Sequence, residues 1–254
     1  MLVDTHAHLQ WGSFDKDRKG VINRARKVDV KCIVNIGFDI KGSIEAIELA
    51  ERHKGLYATV GIHPHNASQF NENILDKLRK LSENPKVIAI GEIGLDYYRN
   101  LSSRKAQKEA FEAQLLLAKE LDLPVVIHDR EAHKDTLETL SKFKRKIRGI
   151  MHCFSGSKEM AEQCAKSGFY ISFAGPVTFP NARKLHEIAK KIEVDKILLE
   201  TDSPWLAPQD MRGERNEPAF LIFITKKIAE LRRISMSELA EATTENAKNA
   251  FQLS

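Results

Sequence analysis

Eight short apolar runs alternate with helical patterns from one end of this 254-residue chain to the other, the signature of parallel βα units. The runs fall at Leu2–Leu9, Cys32–Gly37, Tyr57–Ile62, Val87–Gly91, Pro124–His128, Gly149–Cys153, Phe169–Phe173 and Lys196–Thr201. Segments between them, such as Ser102–Leu121, repeat apolar residues at three- and four-residue steps: Ala106, Ala110, Ala113, Leu117 and Leu121 share one helical face. Ser157 is placed to cap a helix that runs past Met160, and Gly168 to stop it before the seventh run. After the eighth run, Ser203 to Pro218 reads as a Pro- and Arg-bearing loop, and Pro218–Leu231 and Ser235–Phe251 as closing helices. Eight units in a chain of this length fit one TIM-type (β/α)8 barrel, which typically takes roughly 250 residues. The expected fold is therefore α/β, a single domain over residues 1–254, with C-terminal closing helices.

Hydrophobic residues at 42% and charged residues at 30% exclude disordered and fibrous classes. No apolar run approaches the roughly 20 residues of a membrane span. Met1 leads directly into the Asp4–His8 cluster, which leaves no room for a secretory leader, so a cytoplasmic protein is expected, and a monomer. Cys32, Cys153 and Cys164 form an odd set without CxxC spacing, which argues against structural disulfides. Strand alternation should turn Cys153 away from its neighbour His152 and into packing. The net charge of +5 and pI near 9.0 suit a polyanionic partner. The densest basic run, Lys142–Arg148, reads as a solvated face before the sixth strand.

Five of the runs end on residues that can bind metal. His6 and His8 follow Leu2-Val3 at i and i+2, so in an extended strand both face one side. Glu92, His128, His152 and Asp202 follow the fourth, fifth, sixth and eighth runs. Side chains at the carboxyl ends of barrel strands converge, so six candidate ligands are brought to one opening. Four imidazoles and two carboxylates suit borderline divalent ions such as Zn, Mn, Co or Ni, with Mg weaker. Six ligands exceed one tetrahedral site, and a bidentate carboxylate can bridge ions about 3.5–4 Å apart. Two divalent ions are expected. Glu92 would bridge them, His6, His8 and Asp202 would serve one, and His128 and His152 the other. Such a pair lowers the pKa of a shared water and polarises the bond under attack, which points to hydrolysis with Asp202 as general base.

These residues resemble a known family, the TatD-like metal-dependent deoxyribonucleases of the amidohydrolase superfamily. The resemblance spans nearly the whole chain. It rests on Asp4-Thr5-His6-Ala7-His8-Leu9, Gly61-Ile62-His63-Pro64-His65 and Gly91-Glu92-Ile93-Gly94-Leu95-Asp96-Tyr97-Tyr98, then Pro124-Val125-Val126-Ile127-His128, His152-Cys153-Phe154-Ser155-Gly156 and Glu200-Thr201-Asp202-Ser203-Pro204. The last motif continues through Leu206-Ala207-Pro208, Arg212-Gly213 and Asn216-Glu217-Pro218. The resemblance implies a TIM-type barrel with metals on the six residues above. It also implies Mg- or Mn-supported cleavage of DNA phosphodiesters, often 3′ to 5′ on single strands. Gln10 departs from the family, where many relatives carry an acid. Relatives that cleave lactones or amides commonly bridge their metals with a modified lysine where this chain has Glu92, which favours the nuclease branch.

Other polar residues near strand ends have candidate roles. His63, with His65 beyond Pro64, and Arg130, with its bidentate guanidinium, can hold phosphate. Asp96 and Glu200 can orient ligating imidazoles through their second ring nitrogen. Tyr97, Tyr98 and Trp205 can line the mouth or simply pack, and His53, His133 and His186 carry no case for function. Two other readings compete with a DNA phosphodiesterase. One is a hydrolase of a carboxylic ester or amide, such as an aminoacyl ester on RNA, which a small closed apolar pocket would favour. The other is a non-catalytic nucleic-acid-binding protein with structural metals.

Overall fold

In the computed structural model, which describes residues 1–143 and 146–253, the alternating pattern becomes eight parallel strands paired in chain order. They are β1 (Leu2–Ala7), β2 (Val30–Ile36), β3 (Leu56–Val60), β4 (Val87–Asp96), β5 (Val125–Arg130), β6 (Gly149–Met151), β7 (Phe169–Phe173) and β8 (Ile197–Leu199). The helices are α1 (Arg18–Lys27), α2 (Ile40–Arg52), α3 (Glu72–Leu81), α4 (Arg104–Glu120), α5 (His133–Ser141), α6 (Lys158–Lys166), α7 (Arg183–Lys191), α8 (Leu221–Arg232) and α9 (Met236–Phe251). This is a single TIM-type barrel. Ser157 and Gly168 act as expected: the Ser157 hydroxyl accepts from the Met160 amide at 3.2 Å, and Gly168 takes a left-handed φ of +95°. The structure adds a capping box of Ser235 and Glu238 at the start of α9. Within the basic run, Lys142 pairs with Glu112 and Arg148 with Asp122 at the surface, while Lys144 and Arg145 lie outside the described residues. No helix among the described residues is long and apolar enough to cross a membrane.

Buried side chains fall into two layers. The larger packs one face of the strands against the helices, through residues such as Phe14, Leu56, Phe111, Ile127 and Phe173. The smaller gathers Val3, Val34, Ile36, Ile88, Val126, Ile150 and Leu198 with Ala247, Ala250 and Phe251 of α9. α9 thus plugs the barrel interior at the end opposite the strand exits, because its own apolar stripe has nowhere else to be buried.

Closure between β1 and β8 uses few ladder bonds, since β8 is only three residues long. The seam is carried by the residues that follow. Asp202 N–H donates to the His6 carbonyl at 2.8 Å, and His8 N–H donates to the Ser203 carbonyl at 2.8 Å. Beneath them the wholly buried Asp4 carboxyl accepts from Thr201 N–H at 2.9 Å and from the Thr201 hydroxyl at 2.6 Å. Chain ends about two hundred positions apart are joined here, next to the candidate ligands.

Two strands run on past the ends the sequence predicts. The pattern predicts that Gly91 and His128 close the fourth and fifth runs, yet β4 continues to Asp96 and β5 to Arg130, paired from Gly94 opposite His128 to Asp96 opposite Arg130. Glu92 and His128 therefore lie within strands rather than at their exits. The extension requires Gly94: its φ is +139°, and a Cβ there would meet the His128 carbonyl oxygen at 2.0 Å.

Gly94→Ala should cost about 3 kcal/mol from the clash and the unfavourable φ together, lowering the thermal midpoint by roughly 6–12 °C. An unchanged midpoint would contradict this account of the β4–β5 approach. Burial pushes the Asp4 carboxyl up to about 7, so a neutral amide mimics it well. Asp4→Asn should retain most of the stability in denaturant titration, whereas Asp4→Ala, which strands the buried Thr201 donors, should lose about 2–4 kcal/mol.

Candidate metal centre

The barrel gathers all six residues read from the sequence into one cluster, His6, Glu92 and His128 from within strands and His8, His152 and Asp202 from just past strand ends. His6 Nε2 and His8 Nε2 lie 3.0 Å apart, both buried. Glu92 straddles the centre. Its Oε2 faces His6 Nε2 at 3.5 Å and His8 Nε2 at 3.8 Å, while its Oε1 faces His128 Nδ1 at 2.7 Å and His152 Nε2 at 3.6 Å. Asp202 Oδ1 closes the near side, 3.6 Å from His6 Nε2 and 3.5 Å from His8 Nε2. His63 Nε2 is a further neighbour of Glu92 Oε1, at 3.5 Å. Three overlapping groups have donor atoms close enough to hold an ion: His6, His152 and Asp202; His6, His8 and Glu92; and His63, Glu92 and His128.

Outer groups decide which ring nitrogen faces inward. His8 Nδ1 lies 3.1 Å from the Ile36 carbonyl, an acceptor only, so Nδ1 carries the proton and the Nε2 lone pair points to the centre. Gln10 donates to the same carbonyl at 2.6 Å, so it shares the acceptor that supports His8. Glu200 Oε1 lies 2.8 Å from His152 Nδ1, and Glu200 is fixed by the Cys153 amide and the Ser172 hydroxyl, each at 2.6 Å. Asp96 Oδ2 approaches His128 Nε2 at 3.2 Å and His65 Nε2 at 2.8 Å. Asp96 and Glu200 thus stand behind the imidazoles of β5 and β6.

A divalent cation fits this donor set. Glu92 and Asp202 are carboxylates enclosed among imidazoles, with no lysine or arginine among the described residues paired to either. Burial would raise their pKa values, yet the imidazoles hold Glu92, Glu200 and Asp202 below the usual carboxylate range. The counterpart appears on the rings. Burial disfavours their charged forms, but the carboxylates lift His128 to about 9 and His152 to about 10, so at neutral pH these rings hold protons that balance the buried carboxylates. Burial lowers His63 to about 4, which leaves it neutral at pH 7.

Backbone conformation at the centre is unusual. Asp202 and Cys153 have φ of +56° and +40°, sparsely populated for residues with a Cβ, and each is pinned through its own amide, Asp202 to His6 and Cys153 to Glu200. This corrects the expected burial of Cys153 away from the site. β6 ends at Met151, so strand alternation no longer applies; the thiol is only half-buried and senses the charges of Asp202, Glu200 and Glu92. Burial and those carboxylates raise its pKa well above the ordinary thiol value, the opposite of the shift that activates a thiol.

At the rim, the Arg130 guanidinium lies 4.0 Å over the exposed Tyr98 ring. Tyr97 is packed instead, its hydroxyl donating to Asp135 at 2.6 Å. His133 pairs with Asp129 and His186 with the Val177 carbonyl, away from the cluster. Sequence reasoning missed Trp11 and Phe38, which follow β1 and β2 and pack around His8 with Trp205. The available signal was an aromatic residue three positions past the His-x-His pair.

A barrel of this kind hosts many chemistries, and sequence comparison narrows the choice. The profile of the family described as TatD related DNase matches residues 3–252. The chain belongs to the TatD family. It is 45% identical over 254 residues to the metal-dependent hydrolase YabD of Bacillus subtilis, covering all of both chains. It is 40% identical over 259 residues to the 3′-5′ ssDNA/RNA exonuclease TatD of Erwinia tasmaniensis, covering 99% of this chain and 100% of the relative. The crystal structure of the TatD homologue YjjV from Escherichia coli superposes with a TM-score of 0.94 at 31% identity, covering 100% of this chain and 98% of that one. As a TatD family protein, the chain is a metal-dependent hydrolase.

Imidazole ligands must be neutral, so a metal held by His128 and His152 would have to displace the protons on those rings. Those protons favour the folded metal-free state below pH about 6.5, and that contribution is lost as pH rises through about 9–10. Metal affinity should therefore rise with pH over that window. Zn or Mn titration calorimetry at pH 7, repeated in buffers of different ionisation enthalpy, should show net proton release; buffer-independent heats would refute it.

Proposed function

We propose that this TatD family hydrolase cleaves phosphodiester bonds of nucleic acid, removing nucleotides from the 3′ end of single-stranded DNA through a two-metal site. The observation that carries the reading is the placement of Glu92, with one oxygen toward His6 and His8 and the other toward His128 and His152. That arrangement suits two ions sharing one carboxylate, with His6, His8 and Asp202 holding one and His128, His152 and Glu92 the other. Mg, Mn or Zn would serve. Bound there, such ions act as Lewis acids and lower the pKa of water.

The protein's own groups supply the remaining work. Asp202 is ionised at neutral pH and sits at the edge of the cluster, so it can take the proton from the attacking water and return it to the leaving oxygen. His63 accepts the His65 amide at Nδ1, 3.1 Å away, so its neutral ring carries a proton on Nε2 and can donate to a phosphate oxygen without adding charge. Arg130 brings positive charge to the rim. Asp96 bonds the His128 ring at Nε2, and the Glu200 carboxylate lies beside His152 Nδ1, so both can orient imidazoles toward the centre.

Three features support a nucleic-acid substrate: the charge of +5, the exposed aromatic and basic groups at an open rim, and the exonuclease relative from Erwinia tasmaniensis. That rim is unlike the small closed apolar pocket that an aminoacyl ester or cyclic amide would call for.

The test is cleavage of end-labelled single- and double-stranded DNA and RNA with added Mg, Mn or Zn. Wild type should shorten single strands stepwise from the 3′ end, and Asp202→Asn should be slower by about 10²–10⁴-fold with its metal content retained. Intact strands with fully loaded wild type, together with hydrolysis of a carboxylic ester or amide, would overturn the proposal.

A further inference from the structure

Both tryptophans of this chain, Trp11 and Trp205, lie together at the mouth of the barrel. Their ring centroids are 5.0 Å apart at an interplanar angle of 68°, and Phe38 adds a third ring 5.5 Å from Trp11. The three residues come from the loops after β1, β2 and β8, strands that adjoin across the seam. The group is continuous with the metal centre, since the His8 ring lies 5.1 Å from Trp205 and 5.8 Å from Phe38. Yet 40% of Trp11 and 42% of Trp205 stay open to solvent, beside the exposed Leu206. Large apolar groups left exposed in one patch mark a surface that something covers.

We propose that Trp11 and Trp205 form a stacking platform for the base of the nucleotide whose phosphodiester lies at the metal centre, so that they determine substrate recognition. The inference rests on the nuclease reading above. Contact with His8 puts the platform within about one nucleotide of the cluster, and indole faces take any base without reading its edges. The opposite side of the mouth, after β4 and β5, carries Tyr98 and the Arg130 guanidinium. A strand crossing the opening would meet aromatic surface on one side and positive charge on the other. A base paired in a duplex has its faces covered by its neighbours, so the platform selects frayed or single-stranded ends.

With no other tryptophan in the chain, emission excited selectively from tryptophan, at wavelengths that tyrosine does not absorb, reports on this platform alone. Metal-loaded protein would be titrated with single-stranded oligonucleotides carrying phosphorothioate linkages at the 3′ end, ending either in a normal nucleotide or in an abasic one. The expected result is saturable quenching that is weaker for the abasic end. Trp11→Ala and Trp205→Ala should each weaken binding of the normal strand by roughly 5- to 150-fold and shrink its advantage over the abasic strand, with Trp→Phe at either position restoring most of it. If strands are bound and cleaved while tryptophan emission is unmoved and the alanine variants keep wild-type affinity, the platform is wrong and the nuclease reading stands. If strands are neither bound nor cleaved, the nuclease reading fails and the platform fails with it.

Discussion

Closure of the barrel between its first and last strands is the constraint on which the rest of this structure depends. β8 is too short to make a full ladder with β1, so the join is made by Asp4 with Thr201, by the Asp202 amide with the His6 carbonyl, and by the His8 amide with the Ser203 carbonyl. Those bonds set the distance between Asp202 and the two histidines of β1. Structural closure and assembly of the site are therefore one event: backbone contacts that seal the sheet also carry the side chains that face each other across the seam.

A second requirement is electrostatic. Glu92, Glu200 and Asp202 occupy a low-dielectric interior and have imidazoles rather than lysine or arginine around them. Buried carboxylates of this kind are tolerated only with compensating positive charge. Protons on His128 and His152 provide it in the metal-free chain, and divalent ions would provide it in the loaded one. The left-handed backbone at Cys153 and Asp202 belongs to the same economy: each strained residue is held by one amide hydrogen bond at the place where a carboxylate has to be oriented.

Around this centre the mouth is asymmetric. Indole and phenyl rings border His8, whereas Tyr98 beneath Arg130 borders the side of Glu92 and His128. α9 packs into the other end of the barrel, away from this face. Aromatic rings on one side of the mouth and the Arg130 guanidinium on the other are what the bases and phosphates of the proposed polynucleotide strand would meet.

Much of this was legible in the residues alone. Period-two and period-3.6 patterns depend only on which face of an element is buried, so the eight βα units, the Ser157 cap and the Gly168 stop could be read locally. His6, His8, Glu92, His128, His152 and Asp202 stood out because barrel geometry sends strand ends to one place. Other features needed the folded chain. The extension of β4 and β5 through Gly94 arises from pairing between strands more than thirty residues apart. The turn of Cys153 toward the carboxylates follows from the early end of β6, where alternation stops applying. Trp11, Phe38 and Trp205 come from three separate loops, and only the ring closure of the sheet makes them neighbours. Local chemistry thus specifies the elements and the donor set, whereas register, closure and the meeting of distant loops are long-range properties that no window of sequence contains.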